Sequence, residues 1–212
     1  DWPGKFQPIP FVYGDIVRHL SRVEKVRILV EDEDAELKAQ RLCQRAGAEL
    51  KNVEFFRCPT NRSWVRDTCP TFVKGPKRHV AIVNWHFNGW AKYANWKHDD
   101  AAPDDLARRL DLKQWKPEHN GRRVVLEGGA IDVNGRGSLL TTQECLLSPD
   151  VQIRNPGFTK EDYERVFWDH LGVTNTLWLH RGIAGDDTHG HVDDLARFVN
   201  PATVVVASED DK

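Results

Sequence analysis

The stretch Val26-Arg27-Ile28-Leu29-Val30 is rich in β-branched residues and predicts a short buried strand. Residues 34–46 follow it with apolar side chains at helical intervals, and Gly47 directly after them is typical of a helix end. A second strand is predicted at residues 53–56. Because a strand, a helix and a strand follow one another in this order, the sequence predicts an α/β protein.

The remainder of the chain continues this pattern with more strands per helix. The Asn134-Gly135 pair between two predicted strands is a strong hairpin signal. Helices are predicted at residues 103–110 and 159–171, and Thr159 with Asp162 forms a typical capping pattern at the start of the second one. The further predicted strands are 80–85, 123–127, 130–133, 138–142, 176–179 and 203–207. This proportion of strands to helices differs from that of a conventional doubly wound sheet.

The composition is that of an ordinary globular protein and excludes two classes of partner. The 212 residues suffice for a buried core, and 29% of them are charged and 40% hydrophobic. The net charge is -2 with acids and bases mixed along the chain, so no basic stripe indicates nucleic-acid binding. No apolar run approaches the roughly 18 residues that a membrane-spanning helix needs.

Four cysteines are scattered along the chain without CxxC pairs: Cys43, Cys58, Cys69 and Cys145. This distribution favours reduced thiols in a cytoplasmic protein over a disulfide framework. The chain has no methionine, begins with Asp1 and ends just after an apolar run. We therefore expect it to be part of a longer polypeptide.

The densest group of polar residues lies between Asp186 and Asp194, with four carboxylates and two imidazoles. If residues 191–193 are extended, His191 and Asp193 lie on the same face. The residues alone leave three interpretations open. They are a solvated acidic loop, a metal site with His-x-His and Asp ligands, and an acid/base pair in which His191 carries protons and Asp193 binds a cation.

Two further carboxylates stand beside turn residues. Asp67 precedes the sequence Thr68-Cys69-Pro70, and an aspartate beside a turn most often caps local backbone amides. Glu127 precedes the Gly128-Gly129 pair. Two glycines allow close approach of a ligand or of a neighbouring chain segment, but they are equally compatible with a plain strand-to-turn corner.

Six short segments together carry a signal that none of them carries alone. They are Trp64-x-Arg66-Asp67, Phe87-Asn88-x-Trp90-x-Lys92-Tyr93, Leu126-Glu127-Gly128-Gly129, Leu140-Thr141-Thr142 with Cys145-Leu146-Leu147, Arg154-Asn155-Pro156 and Gly190-His191-Val192-Asp193. In this order they resemble the agmatine deiminase family, which also contains the bacterial type of peptidylarginine deiminase. The resemblance extends from about Trp2 to Asp211.

The resemblance implies a particular fold, a pseudo-fivefold α/β propeller built from ββαβ-like modules around a central site. Residues 1–212 would form a single deiminase domain with about three of these modules. This domain would be incomplete, because it lacks the N-terminal start and the C-terminal nucleophile segment of the family.

The resemblance also implies hydrolysis of a guanidino group to a ureido group and ammonia, with no metal and no organic cofactor. A guanidinium is planar and cationic, so two carboxylates can hold it in one plane; Asp67 and Asp193 would supply them. His191 would protonate the departing ammonia and then deprotonate water. Glu127 would keep this histidine charged and oriented. Trp64, close to Asp67 in the same motif, belongs to the expected substrate-binding set.

The nucleophile of the family is a cysteine in a glycine-rich segment followed by His-Cys, and residues 1–212 contain no such segment. Cys145 belongs to an apolar Cys-Leu-Leu motif, and Cys69 stands where the family usually has glycine. All four cysteines are expected to be buried structural thiols, and residues 1–212 alone are expected to lack deiminase activity. Two alternatives are a non-catalytic guanidine-binding relative and a metal-dependent hydrolase built on Asp187, His189 and His191.

The expected substrate is agmatine, which would give N-carbamoylputrescine, followed by peptidyl-arginine and last by free arginine. The α-carboxylate of free arginine calls for an arginine clamp. An acidic rim of Asp186, Asp187 and Asp194 would instead suit the second cation of agmatine. The expected partner is therefore a small guanidino compound, with a homo-oligomer left open.

Overall fold

The structure, a computed structural model, describes residues 6–75, 77 and 79–209. The chain divides into two units, one ending at Thr60 and the other beginning at Asn61. Helices and strands alternate in both units, so the α/β class is confirmed. No helix in the described ranges is long and apolar enough to cross a membrane. The single deiminase domain over residues 1–212 stays a prediction.

The first unit is a parallel strand–helix–strand unit preceded by a helix. Its elements are α1 (Ile9–Leu20), β1 (Val26–Val30), α2 (Glu33–Ala46), a 3-10 turn (Leu50–Asn52) and β2 (Val53–Arg57). The strands β1 and β2 pair in parallel, and α2 connects them. The Asp32 carboxylate accepts the Ala35 amide proton at the start of α2, and Gly47 ends the helix with a φ of 79°. The predicted βαβ beginning is therefore confirmed.

The sequence does not predict α1, and its local composition shows why. Pro10 lies in the first turn, where proline is tolerated, but Gly14 and the neighbouring aromatic and β-branched residues have weak helix preference. Val17 on α1 is buried in a small core with Cys43 and Val53. Tertiary packing accounts for this helix better than local preference does.

The second unit contains two segments with the order strand, strand, helix, strand. Its elements are α3 (Val65–Thr68), β3 (Thr71–Lys74), β4 (Val80–Val83), α4 (Lys97–Arg109), β5 (Gln114–Trp115), β6 (Glu118–His119), β7 (Arg122–Arg123), a 3-10 turn (Gly128–Ala130), β8 (Asp132–Val133), β9 (Ser138–Thr142), α5 (Gln143–Leu146), α6 (Lys160–Leu171), β10 (Asn175–Leu179), β11 (Ala196–Asn200) and β12 (Thr203–Val206). In each segment an antiparallel pair, β3–β4 or β8–β9, is extended by a parallel strand, β5 or β10, that follows the helix. The pairs β6–β7 and β11–β12 are antiparallel.

The core of the second unit gathers around α6. Tyr163 and Phe167 of this helix are fully buried and belong to one cluster with Val83 of β4 and Leu139 of β9. The predicted capping pattern is confirmed, since the Thr159 side chain accepts the Asp162 amide and the Asp162 side chain accepts the Thr159 amide. The hairpin at Asn134-Gly135 is also confirmed by the pairing of β8 with β9.

The strand predicted at residues 123–127 is wrong. Only Arg122–Arg123 is a strand, and Val125 makes a single bridge to His86. The Asn155 side chain accepts the Val125 amide at 2.9 Å and donates to its carbonyl at 2.7 Å. A side chain therefore takes the backbone bonds that a neighbouring strand would otherwise make.

Several other predicted boundaries shift for local reasons. The strand predicted at 130–133 is reduced to Asp132–Val133, because Gly128–Ala130 forms a 3-10 turn. The helix predicted from Pro103 begins at Lys97, with Asp99 and Asp100 in its first turn. The strand predicted at 80–85 ends at Val83. The strands β3 and β11 are not predicted by the sequence.

Replacing Asn155 by alanine should lower the free energy of unfolding by about 1–3 kcal/mol, because the buried Val125 amide and carbonyl lose their partner. The measurement is urea unfolding followed by tryptophan fluorescence, since all tryptophans except Trp2 lie beyond residue 60. Asn175→Ala is the matched control. Its exposed side chain bonds to the Ser138 hydroxyl, and a change within about 0.5 kcal/mol is expected. Equal losses in both variants would contradict a special role for Asn155.

Candidate active site

Asp67 is held by groups far from it in the sequence. It lies on the short helix α3 and is 9% exposed. Its Oδ1 accepts the Gly129 amide proton at 2.9 Å and its Oδ2 accepts the Trp90 indole proton at 3.2 Å. These two bonds join Asp67 to distant segments, so they contradict the interpretation that its side chain caps local amides. The carboxylate still has free lone pairs for further donors, because each oxygen offers two.

The Gly128-Gly129 pair allows a neighbouring segment to approach closely. A Cβ on Gly128 would lie 2.0 Å from the Arg66 carbonyl oxygen. A Cβ on Gly129 would lie 2.4 Å from His191 Nδ1 and 2.6 Å from Asp67 Oδ1. Of the readings left open for these glycines, close approach of a neighbouring chain segment is the one observed.

His191 lies on an irregular loop rather than on the extended segment considered for residues 191–193. The Asp186 carboxylate organises this loop by accepting the amide protons of Thr188, Gly190 and His191 at 2.8 to 3.0 Å. The Gly190 carbonyl in turn accepts the Thr142 hydroxyl proton. The conformation of the loop is thus fixed by its own aspartate and by the end of β9.

Three of the predicted site carboxylates surround the His191 imidazole. Nδ1 lies 3.8 Å from Asp67 Oδ1 and 3.8 Å from Asp193 Oδ1, and Nε2 lies 3.5 Å from Glu127 Oε2. The imidazole is almost completely buried, and Nε2 has no close hydrogen-bond partner within the described ranges. The structure therefore brings together all four residues that were predicted to be catalytic. The two ring nitrogens face different carboxylates.

Arg154 is a site residue that was given no role from the sequence, although its motif, Arg154-Asn155-Pro156, was identified there. Its side chain and that of Glu127 are both fully buried, with Nε 3.1 Å from Glu127 Oε1 and 3.3 Å from Oε2. Gly129 and Trp90 were also missed as contacts of Asp67. All three lie in motifs that carry the resemblance, but their spacing in the sequence gives no hint of these contacts.

Burial and neighbouring charges shift the site pKa values in different directions. Burial raises the pKa of Asp67 to about 6, with the negative charges of Glu127 and Asp193 adding to it and His191 opposing it. Burial also disfavours the Glu127 anion, but Arg154 and His191 outweigh it and the Glu127 pKa is lowered. Burial alone would lower the His191 pKa, yet Glu127 and Asp67 raise it above its ordinary value. The site thus favours an imidazolium beside an ionised Glu127.

The acidic rim expected around the site is wrong for two of its three members. Asp187 accepts the Lys92 ammonium at 2.6 Å and the Tyr93 hydroxyl at 2.8 Å. The carboxylate of Asp186 is occupied by backbone amides of its own loop. Asp194 is exposed and, among the described residues, has neither of these kinds of partner, and partial burial together with the nearby charges of Asp186 and Asp193 raises its pKa. A charge count along the sequence could not show these pairings.

Trp64 differs from the four predicted catalytic residues because it is half exposed. It directly precedes α3, and its carbonyl accepts the Asp67 amide proton at 3.0 Å. A substrate-binding role for the indole stays a prediction.

Among the described residues, Glu127, Cys145 and His191 bring three ligand-type atoms within 4.8 Å of one another. Arg154 already places a fixed positive charge on the Glu127 carboxylate, so these residues suit a metal cation poorly. The alternative metal site predicted on Asp187, His189 and His191 is not found: within the residues that the structure describes, these three do not form a group of potential metal ligands.

The four cysteines differ in their exposure. Cys43, Cys58 and Cys145 are buried as expected, whereas Cys69 is only partly buried, so the prediction of four buried thiols is wrong for Cys69. Cys145 lies in the main core, and burial holds its thiol pKa far above the ordinary range. This thiol is therefore a poor nucleophile at neutral pH.

Comparisons with known proteins match the chain over its whole length. The family model of the Porphyromonas-type peptidyl-arginine deiminases covers residues 1–212. The agmatine deiminase of Stutzerimonas stutzeri is 33% identical over 216 residues, which is 100% of this chain and 55% of that relative. The structure of the Enterococcus faecalis agmatine deiminase catalysing its reaction superposes with a TM-score of 0.84 at 29% identity, covering 100% of this chain and 55% of the other. A cysteine-to-serine variant of the C. jejuni agmatine deiminase with substrate bound gives 0.80 at 29%, covering 100% and 60%. The chain spans about half the length of the curated relatives it matches.

Replacing Asp67 by asparagine should stabilise the chain above pH 7 by about 1–2 kcal/mol. The folded pKa of Asp67, about 6, lies above its unfolded value, so its contribution to stability is present below about pH 4 and is lost as the pH rises through 6. Urea unfolding at pH 4 and pH 7.5 measures the difference, and the gain should vanish at pH 4.

Asp132→Asn is the matched control for this prediction. Asp132 is also buried, but its carboxylate accepts Arg197 Nε at 3.1 Å and the Phe198 amide at 2.6 Å. Its replacement should lower stability by about 1–3 kcal/mol at pH 7.5. A loss of stability of similar size in Asp67→Asn would contradict the view that Asp67 is held in an unfavourable site.

Proposed function

The chain belongs to the Porphyromonas-type peptidyl-arginine deiminase family, and we propose that it forms the guanidinium-binding part of an enzyme that hydrolyses agmatine to N-carbamoylputrescine and ammonia. The observation that carries this proposal is the arrangement around His191. Two carboxylates, Asp67 and Asp193, lie at equal distances of 3.8 Å from Nδ1 of one buried imidazole. Two carboxylates beside one proton-carrying imidazole suit a planar cationic substrate.

A guanidinium between Asp67 and Asp193 would satisfy both carboxylates by two-point hydrogen bonding. The Gly129 backbone supports this geometry, because its amide donates to Asp67 and its carbonyl accepts the Asp193 amide at 3.2 Å. The two acids are thus tied to the same peptide segment. Their spacing would be set before the substrate arrives, which lowers the cost of orienting it.

The two ring nitrogens of His191 would have different roles in catalysis. Nε2 faces Glu127, whose negative charge favours a proton on that nitrogen. Nδ1 faces the two substrate carboxylates and would therefore exchange the working proton. In the first step the attacking thiolate bonds to the guanidinium carbon, Nδ1 gives its proton to the departing nitrogen, and ammonia leaves. In the second step Nδ1 takes one proton from the water that attacks the same carbon. The tetrahedral intermediate then expels the thiolate, forms the ureido C=O and releases the second water proton to solvent.

The attacking thiolate is not assigned to Cys145. That thiol is 1% exposed, lies in the apolar core and has a strongly raised pKa. A nucleophile from the glycine-rich His-Cys segment of the family would complete the mechanism. The proposal uses neither a metal nor an organic cofactor.

The finer fold assignment is also part of this proposal. The segments β3–β4–α4–β5 and β8–β9–α6–β10 have the ββαβ order expected of propeller modules, and β1–α2–β2 repeats the βαβ portion. We infer that these are three modules of a pseudo-fivefold propeller. The high TM-scores to agmatine deiminases support this inference.

The choice of agmatine rests on the relatives and no longer on an acidic rim. Several of the curated relatives that match this chain are agmatine deiminases. The family description favours peptidyl-arginine as the second candidate. A non-catalytic guanidine-binding relative is disfavoured by Glu127 and His191, because binding alone would not require a buried proton carrier.

Asp67→Asn, Asp193→Asn and His191→Ala in the full-length protein should each lower kcat/KM for agmatine by at least about 100-fold. Each change removes a group that acts on the substrate in the transition state. Ammonia release at pH 7.5 is the measurement. Cys145→Ala is the control and should stay within about tenfold of the unchanged protein. Loss of all activity in that control, with the fold intact, would move the nucleophile to Cys145.

The full-length protein should show a higher kcat/KM for agmatine than for a peptidyl-arginine or for free arginine. The three compounds are compared at one ionic strength, because charge attraction depends on salt. A preference for the peptide would keep the chemistry and change the substrate class. A preference for free arginine would contradict both candidates.

A further inference from the structure

Arg154 takes no part in the mechanism proposed above, although it lies at its centre. Its guanidinium donates to both Glu127 oxygens, to the Gln152 carbonyl at 3.0 Å and to the Thr188 carbonyl at 2.6 Å. The side chain is fully buried, and an arginine keeps its charge at any ordinary pH. Arg154 therefore places a permanent positive charge directly behind the partner of His191.

The proposed reaction requires His191 to change its protonation state beside the buried Glu127 carboxylate. His191 must carry a proton on Nδ1 in the first step and lack it in the second. If Glu127 had only His191 as a cationic partner, loss of that proton would leave a fully buried carboxylate uncompensated, which is strongly unfavourable. The imidazolium would then be locked in its charged form. With Arg154 present, Glu127 has a positive partner in both states.

We propose that Arg154 is a positioning residue that allows His191 to exchange its proton, because it keeps Glu127 compensated whether the imidazole is charged or neutral. The inference rests on the proposed function for the proton cycle and on the geometry for the charges. Arg154 also donates to the Thr188 carbonyl and so holds the loop that carries His191.

The other charged groups near His191 cannot replace Arg154 in this role. Those that face the imidazole or its backbone are the acids Asp67, Glu127, Asp186, Asp193 and Asp194 and the Cys145 thiol. Arg66 lies 3.9 Å from Asp193, the acid that faces Nδ1, whereas Glu127 faces Nε2. In the described part of the chain, the ion-pair contacts of Glu127 are to Arg154 and His191 alone.

Arg154→Gln in the full-length protein should raise the pKa of His191 by about one pH unit or more, because Glu127 then needs the imidazolium as its partner. The titration is followed by the side-chain nitrogen signals of 15N-labelled histidine, with His191 assigned from a His191→Gln variant. Arg154→Lys keeps the charge and should leave the His191 pKa near that of the unchanged protein. An unchanged or lower pKa in Arg154→Gln overturns the proposal. This titration needs no catalytic activity, so it stands apart from a failure of the proposed function.

Kinetics provide the second readout on the same protein. Arg154→Gln should lower kcat for agmatine about tenfold or more and lower KM in parallel, so that kcat/KM changes little, because the slowed step follows formation of the covalent intermediate. The loss should fall on the water-attack step, which requires neutral Nδ1, so the covalent intermediate should accumulate. Asn155→Ala is the matched control, because Asn155 is the next residue and is also buried. It should weaken stability without moving the His191 pKa.

A second pair of variants keeps the proposal testable if Arg154→Gln does not fold. Glu127→Gln removes the anion alone, and Glu127→Gln/Arg154→Met removes both charges and leaves no uncompensated group. The His191 pKa should be higher in the double variant than in Glu127→Gln, because the repelling charge of Arg154 is gone. An equal or lower value in the double variant overturns the proposal.

Discussion

The close approach of two backbone segments at Gly129 is the constraint on which the site depends. The Gly129 amide holds the Asp67 carboxylate, its carbonyl accepts the Asp193 amide, and its missing side chain leaves room for His191 Nδ1. A residue that made only one of these contacts could be replaced by other local structures. Because Gly129 makes all three, it fixes α3, the 3-10 turn and the His191 loop together. The core under α6 and β9 then acts as the support for this junction.

Charge compensation is the second organising feature, and it divides the acids into two kinds. Asp132 and Asp186 accept several protons from arginine or backbone donors and therefore hold structure together. Asp67 is buried among other negative charges and is less stable as an anion for that reason. Glu127 is intermediate, because it is fully buried but paired. In the proposed function, Asp67 is also one of the two acids that would bind an incoming cation, as expected where binding and folding stability compete.

The sequence predicted the elements whose local signals agree with their surroundings. The strand Val26–Val30, the capped helix ending at Gly47 and the hairpin at Asn134-Gly135 are of this kind. It failed for residues 123–127, where the Asn155 side chain from a distant loop takes the backbone bonds of Val125. The four catalytic candidates came from the family resemblance, and the structure groups them as expected. Arg154 could not be found in the same way, because its partners become neighbours only through the fold.

The buried state of Asp67 also links substrate capture to the acidity of the solution. Below a pH of about 6 this carboxyl carries a proton, which in the proposed function it would have to lose to bind a guanidinium as an anion. A substrate cation would therefore have to displace that proton, and protons would compete with the substrate for the Asp67 carboxylate. Apparent affinity would then weaken about tenfold for each further pH unit of acidification, the ratio that one exchanged proton dictates. Acidification would thus weaken substrate binding at such a site through protonation of a single carboxyl group.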